Sequence, residues 1–156
     1  MIELISSTPE RTQDIGAGLS HVLRPGDVLS LGGELGAGKT CLTQGIARGL
    51  GIRQRVTSPT FVILREYEGT TPLVHLDVYR FERIGELADL GAEEVFRPDA
   101  VSVIEWGDHV EPMLPASHLR VNLTYHPSGR QLRFEPRGAW TTRLRLLRES
   151  LEAVWE

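Results

Sequence analysis

The chain's 156 residues, 40% apolar and 24% charged, suit a single domain built on one hydrophobic core. No stretch nears the roughly 20 apolar residues of a membrane span, residues 1–13 lack the basic and long apolar regions of a secretory signal, and the lone Cys41 excludes an internal disulfide or a cysteine-built zinc cluster. With a net charge of −4 the chain is not an evident nucleic-acid binder, so a cytoplasmic protein touching neither membrane nor DNA is expected.

Ile2–Ile5 reads as a short strand. Thr8 then caps a helix with Pro9 at its first position, running to about Leu23 behind an apolar stripe of Ile15, Leu19, Val22 and Leu23. Arg24-Pro-Gly-Asp27 is a turn, and Asp27–Leu31 a strand stopped by Gly32-Gly33. A glycine-rich loop, Gly33–Gly38, leads into a helix from Lys39 to about Leu50.

That loop carries the chemistry. Gly33-Glu-Leu-Gly-Ala-Gly-Lys-Thr40 matches the phosphate-loop pattern G-x-x-x-x-G-K-[ST] in full, with an apolar strand before it and a helix after it. Gly33, Gly36 and Gly38 let successive N–H groups turn inward, and the positive end of the helix completes an anion cradle. The nucleotide contacts are expected at Glu34, Leu35, Gly36, Ala37, Gly38, Lys39, Thr40 and Cys41, the last a small thiol in the first helical turn. Lys39 reaches the β- and γ-phosphates and so counts as catalytic, and the Thr40 hydroxyl can ligate magnesium. Sixteen of the seventeen basic residues are arginine, and the one lysine is Lys39. A compact ammonium is not readily replaced by a guanidinium, so its placement inside the pattern is informative without any alignment.

Thr57-Ser-Pro-Thr60 is a loop, either a plain turn or a segment whose hydroxyls sense the terminal phosphate, which makes Thr60 a candidate contact. Phe61–Tyr67 and Pro72–Val78 read as strands joined near Glu68-Gly69, followed by an acidic helix from Leu87 to about Phe96. Ala100–Ile104 is almost wholly apolar, as a buried central strand requires.

Two strands end in acids, Asp77 and Glu105, and a phosphate loop needs at least one carboxylate for magnesium or its waters. The pattern alone does not decide between them. Glu105 ends the more apolar run and is the better candidate beside Thr40; Asp77 is suited to positioning water. Both are carried forward as catalytic and metal-site residues. His75 shares the strand face of Asp77 and reads as a structural histidine. Arg80 either stabilises phosphoryl charge or lies on the surface, and Trp106 packs either near the nucleotide or in the core.

His118–Tyr125 and Arg130–Pro136 alternate around Pro127-Ser-Gly as a hairpin, and Thr141 to Trp155 is an amphipathic helix with Leu144, Leu147, Leu151 and Val154 on one face. Residues 117–156 carry 7 Arg against 4 Glu, whereas residues 1–116 carry 10 Lys+Arg against 17 Asp+Glu. Arg143, Arg145 and Arg148 are therefore either a solvated fringe or a docking face. The elements predict an α/β domain spanning 1–156, with a mostly parallel central sheet flanked by helices and an antiparallel hairpin near the C-terminus. The Asn-Lys-x-Asp reader of guanine is absent, which favours ATP.

Gly33-Glu-Leu-Gly-Ala-Gly-Lys-Thr40, Ser58-Pro-Thr-Phe61, His75-Leu-Asp-Val-Tyr-Arg80 and Val103-Ile-Glu-Trp-Gly107, in that order and at suitable spacing, resemble the bacterial TsaE (YjeE) family, the small ATPase of tRNA threonylcarbamoyladenosine biosynthesis. The likeness covers most of the chain; beyond about Pro115 it lies in layout only. It implies a single P-loop NTPase domain, slow ATP hydrolysis, and action with TsaB and TsaD, which modify adenosine 37 of tRNA, so that tRNA is met through the complex. It implies magnesium held by Thr40 and Glu105, Asp77 close to the metal and γ-phosphate, and Thr12 near the nucleotide base. The rival readings are a small-molecule kinase of the phosphate-loop class and a nucleotide-gated binding module without meaningful turnover.

Overall fold

The structure, a computed structural model, describes residues 1–58, 64–79 and 89–155. In chain order the elements are β1 (Ile2–Ser6), α1 (Pro9–Ser20), β2 (Val28–Gly32), α2 (Lys39–Gly49), β3 (Leu64–Tyr67), β4 (Leu73–Asp77), α3 (Ala92–Val95), β5 (Val101–Glu105), β6 (His118–His126), β7 (Gly129–Arg137) and α4 (Leu144–Trp155). Stretches of 3-10 helix, Gly107–Met113 and Gly138–Arg143, follow β5 and β7.

The strands form one sheet in the order β1-β7-β6-β2-β5-β4-β3. Its centre, β6-β2-β5-β4, is parallel. The expected hairpin is β6–β7, and β1 and β3 add antiparallel edges, so the sheet as a whole is mixed. β2 and β5 are buried at every residue, which explains their continuous apolar spelling: a parallel strand covered on both faces has no wet side to alternate with.

One core lies between the sheet and α1, α2 and α4. It packs Ile15 and Leu19, Leu42 and Ile46, and Leu147 and Leu151 against Leu29, Leu31, Val103 and Val121. The other face places Val28, Leu76 and Ile104 against Val95, Val110 and Leu114. Thr8 caps α1, its hydroxyl accepting from Arg11 N at 3.0 Å, with Pro9 in the first turn.

Boundaries differ from expectation where local bonds compete. α1 stops at Ser20 rather than Leu23, because His21, Val22 and Leu23 donate three residues back, to Gly18, Leu19 and Ser20. This tightens the chain into a 3-10 turn before Pro25 forbids continuation. β2 starts at Val28 because the carboxylate of Asp27 accepts from Arg24 N and closes the turn. The last helix begins at Leu144, the preceding residues being 3-10. The expected starts of β3 at Phe61 and of the acidic helix at Leu87 lie outside the described residues, as do Thr60 and Arg80.

Candidate nucleotide site

β2 delivers the chain to the phosphate loop, and α2 leaves it with Gly38 as its N-cap. Gly33 has φ +135°, and a Cβ there would sit 2.4 Å from the carbonyl oxygen of Leu123; Gly38 has φ +109°. Side chains rarely adopt these conformations, so the glycines are what allow the loop to curl over the head of α2. Ala37, at 0% exposure, anchors the loop to the core, while Leu35, at 76%, stands out in solvent.

Lys39 is buried within its own loop. Its Nζ donates to the carbonyls of Gly33 (2.5 Å) and Glu34 (3.0 Å) and lies 3.7 Å from the centre of the Trp106 ring. Burial pulls its ammonium below the ordinary lysine pKa, against the opposing pull of Glu105, Asp77 and Asp108. Three carboxylates within electrostatic reach of one ammonium leave an excess of negative charge that a divalent cation would offset.

The two strand-end acids meet because β4 and β5 are parallel neighbours in the register Asp77↔Glu105. Both side chains therefore emerge on the α2 side of the sheet, at the mouth of the loop. The Thr40 hydroxyl donates to the Glu105 carboxylate, 3.1 Å from Oε1 and 3.3 Å from Oε2. The other partner of Glu105 is the buried His75, whose Nε2 lies 2.5 Å from Oε2. Asp77 accepts from Tyr79 N at 2.8 Å. Burial raises its carboxyl above the ordinary range; the Tyr79 bond opposes this and the charge of Glu105 adds to it.

Two clefts flank the loop. One, of about 350 Å³, is lined by Lys39, Thr40, Asp77, Glu105 and Trp106, with Leu35 and Ser58 at its edge. The other, of about 260 Å³, lies across Gly36 and Gly38 and is lined by Ser6, Thr8, Pro9, Thr12, Gly129 and Arg130. Cys41 borders both, its thiol donating to Pro9 O and raised in pKa by burial. Thr12 is buried and shares a 2.7 Å bond with Ser6 at the wall of the smaller cleft. The structure thus gathers Leu35, Gly36, Gly38, Lys39, Thr40, Cys41, Asp77, Glu105 and Trp106 in one cleft and puts Thr12 in its neighbour. Glu34 and Ala37 line neither cleft.

Sequence reasoning missed the tip of the β6–β7 hairpin. Tyr125 Oη donates to Leu35 O at 2.7 Å, and Arg130 reaches Gly36 O at 3.4 Å with its guanidinium 4.4 Å from the Tyr125 ring centre. The hairpin was readable from alternation; its seat on a loop 90 residues away in sequence carried no signal. Arg143 is a second correction. Read as part of either a solvated fringe or a docking face, it instead forms a two-pronged pair with Asp27 (2.6 and 2.7 Å), donates to Val22 O and stacks on Trp140. It holds the C-terminal region to the start of β2, leaving Arg145 and Arg148 exposed.

The family model described as "Threonylcarbamoyl adenosine biosynthesis protein TsaE" matches residues 6–132. Among named proteins, a tRNA threonylcarbamoyladenosine biosynthesis protein TsaE of Bacillus subtilis is 47% identical over 114 residues, 72% of this chain and 71% of that protein. The protein of the same name from Treponema pallidum is 40% identical over 119 residues, covering 76% and 88%. That of a Nostoc strain is 38% identical over 142 residues, covering 87% and 86%. The crystal structure of Bacillus subtilis YdiB superposes with a TM-score of 0.80 at 35% identity, over 97% of this chain and 94% of that one.

Proposed function

The chain belongs to the TsaE family, and from that premise we propose that it is a cytoplasmic, magnesium-dependent ATPase of slow intrinsic turnover. Its partners in this reading are TsaB and TsaD, with which it acts in threonylcarbamoyl modification of adenosine 37 of tRNA. The observation that carries the reading is the convergence of Lys39, Thr40, Asp77 and Glu105 on one cleft at the head of α2.

The donor set fits magnesium. Thr40 Oγ1 and Glu105 Oε1 lie 3.1 Å apart. Adjacent ligands of an octahedral cation with bonds of about 2.0–2.1 Å are separated by about 2.9 Å, and hydroxyl and carboxylate oxygens are the hard donors this ion takes. Thr40 and Glu105 would hold it, and Asp77 would hold one of its waters. Bound there, the cation would neutralise charge on the β- and γ-phosphates.

The chain's own groups supply the rest. Loop N–H groups and the N-terminus of α2 receive the phosphates. Lys39 leaves its two loop carbonyls for the phosphate oxygens, which gives the ammonium a full-charge partner in place of two dipoles. Asp77, kept half-dry, holds the attacking water and accepts its proton. The smaller cleft, with Thr12 in its wall, receives the base.

Phosphate release measured alone and with the TsaB–TsaD pair tests the assignment. Turnover is expected to be slow for the isolated chain and to change when the pair is added. Unaltered turnover, with no complex by size-exclusion chromatography, would remove the partner assignment.

A further inference from the structure

His75 is the one polar side chain that β4 buries in the main core. It is 0% exposed. Its neighbours on the same face, Leu73 two residues back and Val103 directly across on β5, belong to the apolar core between the sheet and the helices. Among the described residues Nδ1 has no hydrogen-bond partner. A buried polar atom left in that condition costs stability, and a leucine here would fill the space without that cost. The other ring nitrogen carries the explanation: Nε2 is 2.5 Å from Glu105 Oε2. In the tautomer that carries its hydrogen on Nε2, the ring donates to the Glu105 carboxylate.

We propose that His75 is a positioning residue for the cation site. It holds Oε2 of Glu105 and so fixes the rotamer in which the carboxylate faces Thr40. Without it, Thr40 is the remaining partner of the Glu105 carboxylate among the described residues, and the group is free to turn about its terminal torsions at the moment the hydroxyl is needed by the cation. The proposal rests on the magnesium–ATP reading above and deepens it by adding a residue that touches neither ATP nor metal.

The test compares the full-length chain with His75→Leu, His75→Asn and His75→Gln, using a fluorescent ATP analogue titrated in EDTA and across a magnesium series. Leucine removes the donor and keeps the bulk; asparagine is too short to reach Glu105; glutamine places an amide N–H where Nε2 lies. Groups that orient metal-bound carboxylates typically matter by about 10–100-fold. His75→Leu and His75→Asn are therefore expected to raise the magnesium concentration for half-maximal binding by about tenfold, leave affinity in EDTA unchanged, and be largely restored by His75→Gln. If leucine does not fold at this position, the asparagine–glutamine contrast decides.

A wild-type magnesium requirement in the leucine and asparagine variants would overturn the inference and leave the ATPase reading standing. Equal loss of affinity with and without magnesium would overturn it in favour of a packing role. A wild-type chain that binds the analogue independently of magnesium would remove the reading itself, and the inference with it.

Discussion

Trp106 occupies the left-handed region of backbone space, φ +63°, the one non-glycine among the described residues to do so. Gly107 follows because a Cβ there would lie 2.0 Å from Ser30 Oγ. The pair turns the chain sharply off the end of β5 and swings the indole over Lys39, where Tyr79 also packs at 4.8 Å between ring centres. At the same scale the two acids differ in what they touch. Glu105 is bonded to Thr40, whereas among the described residues Asp77 is held through the backbone of Tyr79. Glu105→Ala is expected to raise the magnesium needed for ATP binding, and Asp77→Asn to lower single-turnover hydrolysis by at least about tenfold while sparing affinity. Asp77→Asn has a second signature. Burial raises the folded-state pKa of Asp77 above its unfolded value, so the ionised form costs stability at all pH values above the folded pKa. That cost disappears as pH falls below the unfolded value. The nucleotide-free variant is therefore expected to melt above wild type near neutrality, with the gain vanishing on acidification. Reversed effects of the two substitutions on binding and turnover would exchange the roles.

At the scale of elements, what was legible in the sequence tracks locality. The α2 helix, the buried β5 run and the β6–β7 hairpin follow from periodicity and turn residues within a dozen positions. Glu105 could be favoured beside Thr40 because its strand is apolar on both faces, and β5 does neighbour β2. The contacts of His75, Tyr125, Arg130 and Arg143 depend instead on strand order and register, which no local pattern encodes. A histidine in an alternating strand reads as structural until β5 is laid beside β4. The Arg143–Asp27 pair shows the consequence for an element: it clamps the 3-10 stretch before α4 to the first residue before β2. Removing one partner of a buried ion pair costs about 3–5 kcal/mol, and partial exposure of Arg143 reduces this to about 2 kcal/mol. Arg143→Ala is expected to lower the urea midpoint accordingly with an unchanged slope, while Arg145→Ala, whose pair with Glu149 is exposed, changes the unfolding free energy by less than about 0.5 kcal/mol. Equal effects of the two would remove the clamp.

The whole molecule places its chemistry at one end of the parallel strands. The loop after β2, the acids ending β4 and β5, and the hairpin tip between β6 and β7 all lie around the head of α2. This is the crevice at strand carboxyl ends where open α/β sheets bind ligands. The remaining strands and helices build the scaffold that holds these pieces in register. Everything turns on whether that crevice binds nucleotide through the loop, and a titration of fluorescent ATP in magnesium into wild type and Lys39→Ala asks this directly. The variant is expected to keep its fold and to lose affinity by about 100-fold, because a charge-assisted contact to two phosphates is removed. Equal affinity and equal hydrolysis in a folded Lys39→Ala chain would contradict the account.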